Sequence, residues 1–221
     1  MYKRLVRPIL FLFNPEFIHA FSFISIKIVF KIPILNFILR RKFKLEDKNL
    51  RTSLLGLSFK NKIGLAAGFD KNAELLNEIE SFGFGHVEVG TITPKSQPGN
   101  AKPRLFRLLR DRALINRMGF NNDGVDKILS RIKSYKGNLV IGANIGKNKT
   151  TPNHKAADDY IYCFKKLCGY VDYFVINISS PNTPELRKLQ SKKYLQDLVE
   201  KINIERSKRN NKVPFFIKIA P

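Results

Sequence analysis

The run Tyr173-Phe-Val-Ile-Asn-Ile-Ser-Ser-Pro-Asn-Thr183 passes from an apolar stretch into amide and hydroxyl side chains within a few residues. Such groups can hold a polar ligand edge or move a proton. In a parallel α/β barrel the working side chains sit at the carboxyl ends of strands, so Asn177, Ser179, Ser180, Asn182 and Thr183 would face a ligand. The same residues would also suit a turn that only stops a strand. Ile63-Gly-Leu-Ala-Ala-Gly-Phe-Asp-Lys-Asn72 has the same design. Small residues at Ala66, Ala67 and Gly68 let a flat ligand approach the backbone, and Lys71 places a cation at the strand's end. Tight helix-on-sheet packing and a solvated surface lysine are the competing readings of those residues.

Both segments need a scaffold of strands. Apolar strands at 86–91, 139–144, 173–178 and 215–220 alternate with amphipathic helices at 73–82, 123–135, 152–168 and 192–208, the pattern of a parallel sheet covered by helices. Residues 54–59 and 63–67 flank Lys60-Asn-Lys62 and read as a hairpin leading into the first core strand. A long insertion, 94–122, separates the second strand from its helix, and a compact domain rarely carries one without a functional reason.

Residues 1–43 differ from the rest. Eight basic residues (Lys3, Arg4, Arg7, Lys27, Lys31, Arg40, Arg41, Lys42) and the single acid Glu16 lie among many Phe, Ile and Leu. Asn14-Pro15-Glu16 predicts a helix start, with Asn as cap, Pro in the first turn and an acid near the positive end of the dipole. Lys27, Lys31 and Pro33 interrupt the apolar stretch 17–39, which argues against a membrane-spanning helix. Lys27 and Lys31 share one face and Phe21, Ile24 and Ile28 another, which suits a helix lying in a membrane interface against anionic lipid. A helical cap packed on the following domain is the alternative. No small-residue cleavage site follows an uninterrupted apolar core, so a signal peptide is not expected. The reading divides the chain into a helical, membrane-associating segment at 1–45 and a barrel segment at 46–221.

The 40 basic and 18 acidic residues give a formal charge of +22, and 43% of the residues are hydrophobic, as in an ordinary folded protein. That charge would attract nucleic acid, anionic lipid or small anions. No basic helix with interleaved aromatics, zinc spacing or ribonucleoprotein motif is present, so neither nucleic acid nor a metal is expected as a partner. A non-catalytic basic membrane- or nucleic-acid-binding protein remains the alternative. Cys163 and Cys168, five apart in a predicted helix, make neither a CxxC site nor a disulfide, and a reducing compartment fits. Gly83-Phe-Gly85 precedes a strand instead of following one, which excludes a dinucleotide loop.

Six motifs in one order, Ala67-Gly-Phe-Asp-Lys71, Val89-Gly-Thr-Ile-Thr-Pro94, Pro103-Arg-Leu-Phe-Arg107, Asn116-Arg-Met-Gly-Phe-Asn121, Gly142-Ala-Asn-Ile-Gly146 and Asn177-Ile-Ser-Ser-Pro-Asn-Thr183, resemble the quinone-dependent (class 2) dihydroorotate dehydrogenases. The resemblance implies a (β/α)8 TIM-type barrel that uses FMN to oxidise dihydroorotate to orotate in pyrimidine synthesis and passes the electrons to membrane quinone. It implies that Ala67, Gly68, Thr91, Asn144, Asn177 and Lys218 line the flavin. Lys71, Asn116, Arg117, Met118, Gly119, Phe120, Asn177 and Asn182 would hold the substrate. Ser180 matches the base that takes the C5 proton while hydride leaves C6 for the flavin; a serine is a poor base at its free pKa and needs desolvation and a relay, which Thr183 and Phe120 match. His19 and Arg107 match positions that meet the quinone head group, with Phe and Ile of 17–28 forming an apolar tunnel. The N-terminus, with no Arg/Ser-rich transit segment, points to the cytoplasmic side of a bacterial inner membrane.

About five of the eight barrel strands can be counted before Pro221. The expectation is an open remnant with apolar edges, prone to aggregate, and a polypeptide that is inactive or barely flavin-bound on its own.

Overall fold

The computed structural model describes residues 2–209 and 212–220. Met1 and Pro221, which bound the two segments expected from the sequence, lie outside the described residues. Helix α1 (Arg7–Phe11) leads into α2 (Pro15–Lys31), whose start is the expected one: the Asn14 side chain accepts from the backbone N–H of Glu16 (2.8 Å) and Phe17 (3.4 Å), and Pro15 occupies the first turn. Ile32 is extended, as the residue before a proline must be, and Pro33 opens α3 (Pro33–Phe43). Among the described residues no single helix is long and apolar enough to cross a membrane.

The hairpin differs from expectation. Strand β1 (Thr52–Leu54) pairs antiparallel with β2 (Leu57–Phe59), so the turn is Leu55-Gly56 and not Lys60-Asn-Lys62. Leu55 (φ 51°) and Gly56 (φ 81°) are both left-handed, the geometry of a primed two-residue turn; a leucine in that position does not advertise it. Strand β3 shrinks to Gly64–Leu65.

Helix α4 (Leu76–Ser81) begins three residues later than predicted, because the Asp70 carboxylate accepts from the N–H of Glu74 and Leu75 (2.8 Å each) and holds the preceding turn outside the helix. Strand β4 (His86–Ile92) follows, then the insertion, which folds as a hairpin of β5 (Leu105–Leu108) and β6 (Ala113–Asn116). Helix α5 (Val125–Ser134), β7 (Val140–Ile145), α6 (Ala156–Leu167), β8 (Tyr173–Asn177), α7 (Lys192–Lys208) and β9 (Phe215–Lys218) complete the alternation.

The five strands pair in the order β3-β4-β7-β8-β9, parallel throughout, which is five consecutive strands of a barrel. Their helix-facing sides carry Val87, Val89, Ile141, Ala143, Phe174 and Ile176, buried with Ile128, Ile132, Tyr160, Phe164, Leu198 and Ile202. Each such side chain, when large, is worth about 1.5–3 kcal/mol. The opposite face is built in layers. At its amino-terminal end Phe59, His86, Tyr173 and Phe216 stack ring to ring, with centroids 5.4, 6.4 and 5.7 Å apart. Glycines make room for them: a Cβ at Gly64 would lie 2.0 Å from the His86 ring, and one at Gly142 2.1 Å from Tyr173.

Helix α2 packs against α4 and strand β5 of the insertion hairpin. Phe23 is buried, and Lys27 pairs with Glu74 at 2.6 Å, so Lys27 is drawn toward the protein; the outward side of the helix is apolar, with Phe17, Phe21 and Ile28 exposed. Cys163 is buried in α6 and Cys168 follows it, both free.

The glycine layer yields a stability prediction. Gly142→Ala forces a methyl group into the Tyr173 ring and is expected to destabilise the chain by about 1–3 kcal/mol in urea unfolding followed by circular dichroism. An unchanged midpoint would remove Tyr173 from this layer.

Candidate active site

The carboxyl ends of the strands are joined by a buried polar chain. Asn177 at the end of β8 donates through Nδ2 to Thr91 Oγ1 (2.9 Å) on β4 and to Asn144 Oδ1 (3.1 Å) on β7. Thr91 Oγ1 itself donates to Asn144 Oδ1 at 2.6 Å, and Asn144 Nδ2 donates to Glu88 Oε1 at 2.6 Å. Register explains the meeting: Gly90 is opposite Asn144, and Asn177 is opposite Lys218 on β9. Below them, Tyr160 of α6 donates to the Asn177 carbonyl at 2.8 Å.

Above this chain three loops enclose a cavity of about 240 Å³. The loop after β3 contributes Ala67, Gly68 and Lys71, the end of the insertion contributes Asn116, Met118, Gly119 and Phe120, and the loop after β8 contributes Ser180 and Asn182; Thr91, Asn177 and Lys218 complete the lining. Gly68 has φ 108° and donates its N–H to Gly90 O at 3.0 Å. A Cβ at Gly68 would meet nothing within 4 Å, so the glycine leaves the cavity floor open to a flat ligand.

The loops are tied to one another. Asn182 Nδ2 donates to Asn116 O at 2.9 Å, and Asn100 Nδ2 donates to both Arg117 O (3.0 Å) and Asn182 O (3.2 Å). Ser180 Oγ accepts from the Asn182 N–H at 3.2 Å, leaving its own proton free for another partner. Lys71 donates to Asn121 Oδ1 and approaches Met118 Sδ at 3.5 Å. Burial, with the nearby Arg104 charge adding to it, pushes the Lys71 ammonium down to about 8. Among the described residues its hydrogen-bond partners are a neutral amide and a thioether, and no carboxylate pairs with it.

Most residues singled out from the sequence therefore line one cavity. Three do not share it fully. Asn144 lies beneath it in the polar chain, the Arg117 side chain is exposed and only its carbonyl takes part, and Thr183 is buried behind the loop with no partner for Oγ1 among the described residues. His19 and Arg107 lie elsewhere. His19 lines a second cavity of about 490 Å³ under α2, with Ala20, Phe23, Ile24, Leu105 and Leu114, and its Nε2 lies 2.8 Å from Phe69 O. Arg107 does not line that cavity. It lies 4.4 Å from the centre of the Phe11 ring and donates to Phe11 O (3.4 Å) and Phe13 O (2.6 Å). Phe17, Phe21 and Ile28, expected in an apolar tunnel, face outward.

Sequence reasoning missed Glu88, Asn100 and Asn121, and it named Arg104 without a role. Arg104, 6% exposed, joins α2 to the insertion through Glu16. The signal was there: Glu16 is the lone acid among 43 residues otherwise basic and apolar.

Five parallel barrel strands, with amides, hydroxyls and a buried lysine around a cavity at their carboxyl ends, define a barrel-type α/β protein. The family model for dihydroorotate dehydrogenase matches residues 49–221, and the chain belongs to that family. It is 54% identical over its whole length to the dihydroorotate dehydrogenase (quinone) of Christiangramia forsetii and 49% identical to that of Coxiella burnetii, covering 65% and 63% of those proteins. The chain thus spans just under two thirds of these relatives. Among solved structures, the dihydroorotate dehydrogenase of Eimeria tenella in complex with ferulenol matches with a TM-score of 0.77 at 38% identity, over 94% of this chain and 60% of that one. The ligand-free form from the same organism gives 0.74 at 42% identity, over 85% and 60%.

The lowered lysine can be measured directly. In competitive acetylation read by mass spectrometry, Lys71 is expected to titrate near pH 8, well below the ordinary range of free lysine side chains. A Lys71 midpoint matching theirs would mean that the ammonium is solvated.

Proposed function

We propose that the protein works as a quinone-dependent dihydroorotate dehydrogenase, oxidising (S)-dihydroorotate to orotate for pyrimidine synthesis at the cytoplasmic face of a bacterial inner membrane. The observation that carries the reading is the single cavity into which Gly68, Lys71, Asn116, Ser180, Asn182 and Lys218 converge.

The residues fit FMN. The open floor at Gly68 and Ala67 would take the flat ring system, while Thr91, Asn177 and Lys218 offer hydroxyl, amide and ammonium groups to its polar edge. Lys218 would also stabilise negative charge that develops there. Bound FMN supplies the two-electron acceptor that no side chain here can provide.

This chain's own residues then do the rest. Lys71 pairs with the substrate carboxylate, Asn116 and Asn182 meet the amide edges of the ring, and Asn177 holds the cavity floor beneath it. Ser180 takes the proton from C5. The Asn182 N–H fixes the Ser180 oxygen, and the buried, unpaired Thr183 hydroxyl lies three residues along the same loop to carry the proton onward. Phe120, 8% exposed, keeps bulk water from the base. The second cavity, with His19 on its wall, would receive the quinone, and the exposed apolar side of α2 would enter the membrane interface, with Lys31, Arg40, Arg41 and Lys42 nearby to meet anionic lipid.

Two measurements test the reading. Titrating FMN against the chain is expected to quench flavin fluorescence saturably, and Gly68→Leu, which fills the cavity floor, is expected to abolish the quench; no saturable quench in the unaltered protein would overturn the flavin site. Ser180→Ala is expected to lower dihydroorotate-dependent flavin reduction by about 10²–10⁴-fold with the FMN quench retained. Reduction that proceeds undiminished would remove Ser180 from the role of base.

A further inference from the structure

Two cavities that are read above as serving two different ligands are not separate objects. Gly68, Lys71, Asn116 and Met118 line both, so one wall, four residues thick in sequence terms, stands between them. Its Lys71 and Met118 touch each other at 3.5 Å.

A second link runs around the wall. Arg104 grips the Glu16 carboxylate with Nε (3.1 Å) and Nη2 (2.6 Å), while its Nη1 donates to Pro98 O (2.5 Å) and Asn100 O (2.9 Å). The fork is bidentate on one side and spans two carbonyls on the other, a geometry that lysine could not reproduce. Glu16 sits in the first turn of α2 and lines the outer cavity. Asn100, held at its carbonyl by Arg104, holds Arg117 O and Asn182 O with its side chain. A shift of α2 by any ligand beneath it therefore moves Glu16, and through it the segment 98–100 that braces both substrate-facing loops. Breaking the grip instead would strand a buried guanidinium, so the parts move together.

We infer that the two cavities bind their ligands cooperatively and that Arg104 is the positioning residue that ties them. The inference rests on the assignment of the two cavities proposed above. Ordering the shared wall is common to both binding events, so the ligand that binds second meets a wall already ordered, and the coupling is positive.

Met118 supplies the probe, because the chain has two methionines and the other is Met1. With methionine methyls labelled with carbon-13, its signal is followed as orotate is titrated with and without a saturating water-soluble short-chain benzoquinone. Orotate is expected to bind about fivefold tighter or more with the quinone present, and the quinone to gain equally from orotate. In Arg104→Gln the ratio is expected to fall to near one while each ligand still binds alone. Arg104→Lys, a milder change that keeps the charge and loses the fork, is expected to act in the same direction should Arg104→Gln not fold. A purely structural role would weaken both ligands and leave the ratio unchanged. A ratio at or below one in the unaltered protein, or one preserved in both variants, overturns the coupling. Failure of either probe alone to perturb Met118 in the unaltered protein overturns the assignment of the cavities and the coupling with it.

Discussion

Asn177 is 5% exposed and carries an amide that must find partners for its donors and its acceptor, and the strands are arranged so that it does. Its Nδ2 reaches Thr91 and Asn144, its Oδ1 receives Ser179, and Asn144 continues the chain to Glu88. A slip of one residue in β7 or β8 would turn these side chains toward the helices and bury them against Ile141, Phe174 and Phe164 without partners. The polar chain and the apolar helix-facing layer therefore specify the same register, and the positions of the loops above follow from it.

Those loops hold their shape through backbone carbonyls as much as through side-chain pairs. Asn100 and Gln97 donate to carbonyls of the segment 116–120 from outside the cavity, and Asn182, which lines it, adds a third tie at Asn116 O. Lys71 is left with a neutral amide and a thioether as its contacts, which explains why burial dominates its titration. Glu16 illustrates the opposite case. Its hydrogen bond with Arg104 comes first in holding its carboxyl below the usual range, with Lys102 contributing less, and burial opposes both. The charge on Glu16 is met by a bidentate partner, whereas Lys71 has only the more distant Glu16 to offset its burial.

The alternation of strands and helices was legible because helix-facing positions such as Val87, Val89, Ile141 and Phe174 are apolar without interruption, as a strand covered by helices requires. The start of α2 was legible because a cap is a local hydrogen-bond pattern. The hairpin turn was not, because a leucine adopts left-handed backbone at Leu55 only where the flanking strands demand it. The late start of α4 was hidden for a related reason: Asp70, which reads as a possible acid, spends both oxygens on backbone N–H groups. The helix that carries Lys27 could be read as facing lipid with its charges, yet Glu74, 47 residues away, draws that lysine inward.

By itself the sequence determined which residues crown the strand ends and in what order, since strand ends, small-residue stretches and their amides are local patterns of type and spacing. It also set the basic, apolar character of the first helices. Only the tertiary structure decided that Arg104 belongs to Glu16, that Arg107 turns to Phe11, that Asn144 supports the cavity from below and that one wall serves two cavities. Each of these joins segments tens of residues apart, and which charge or amide meets which is settled by how the helices pack on the sheet, a quantity that no local run of residues contains.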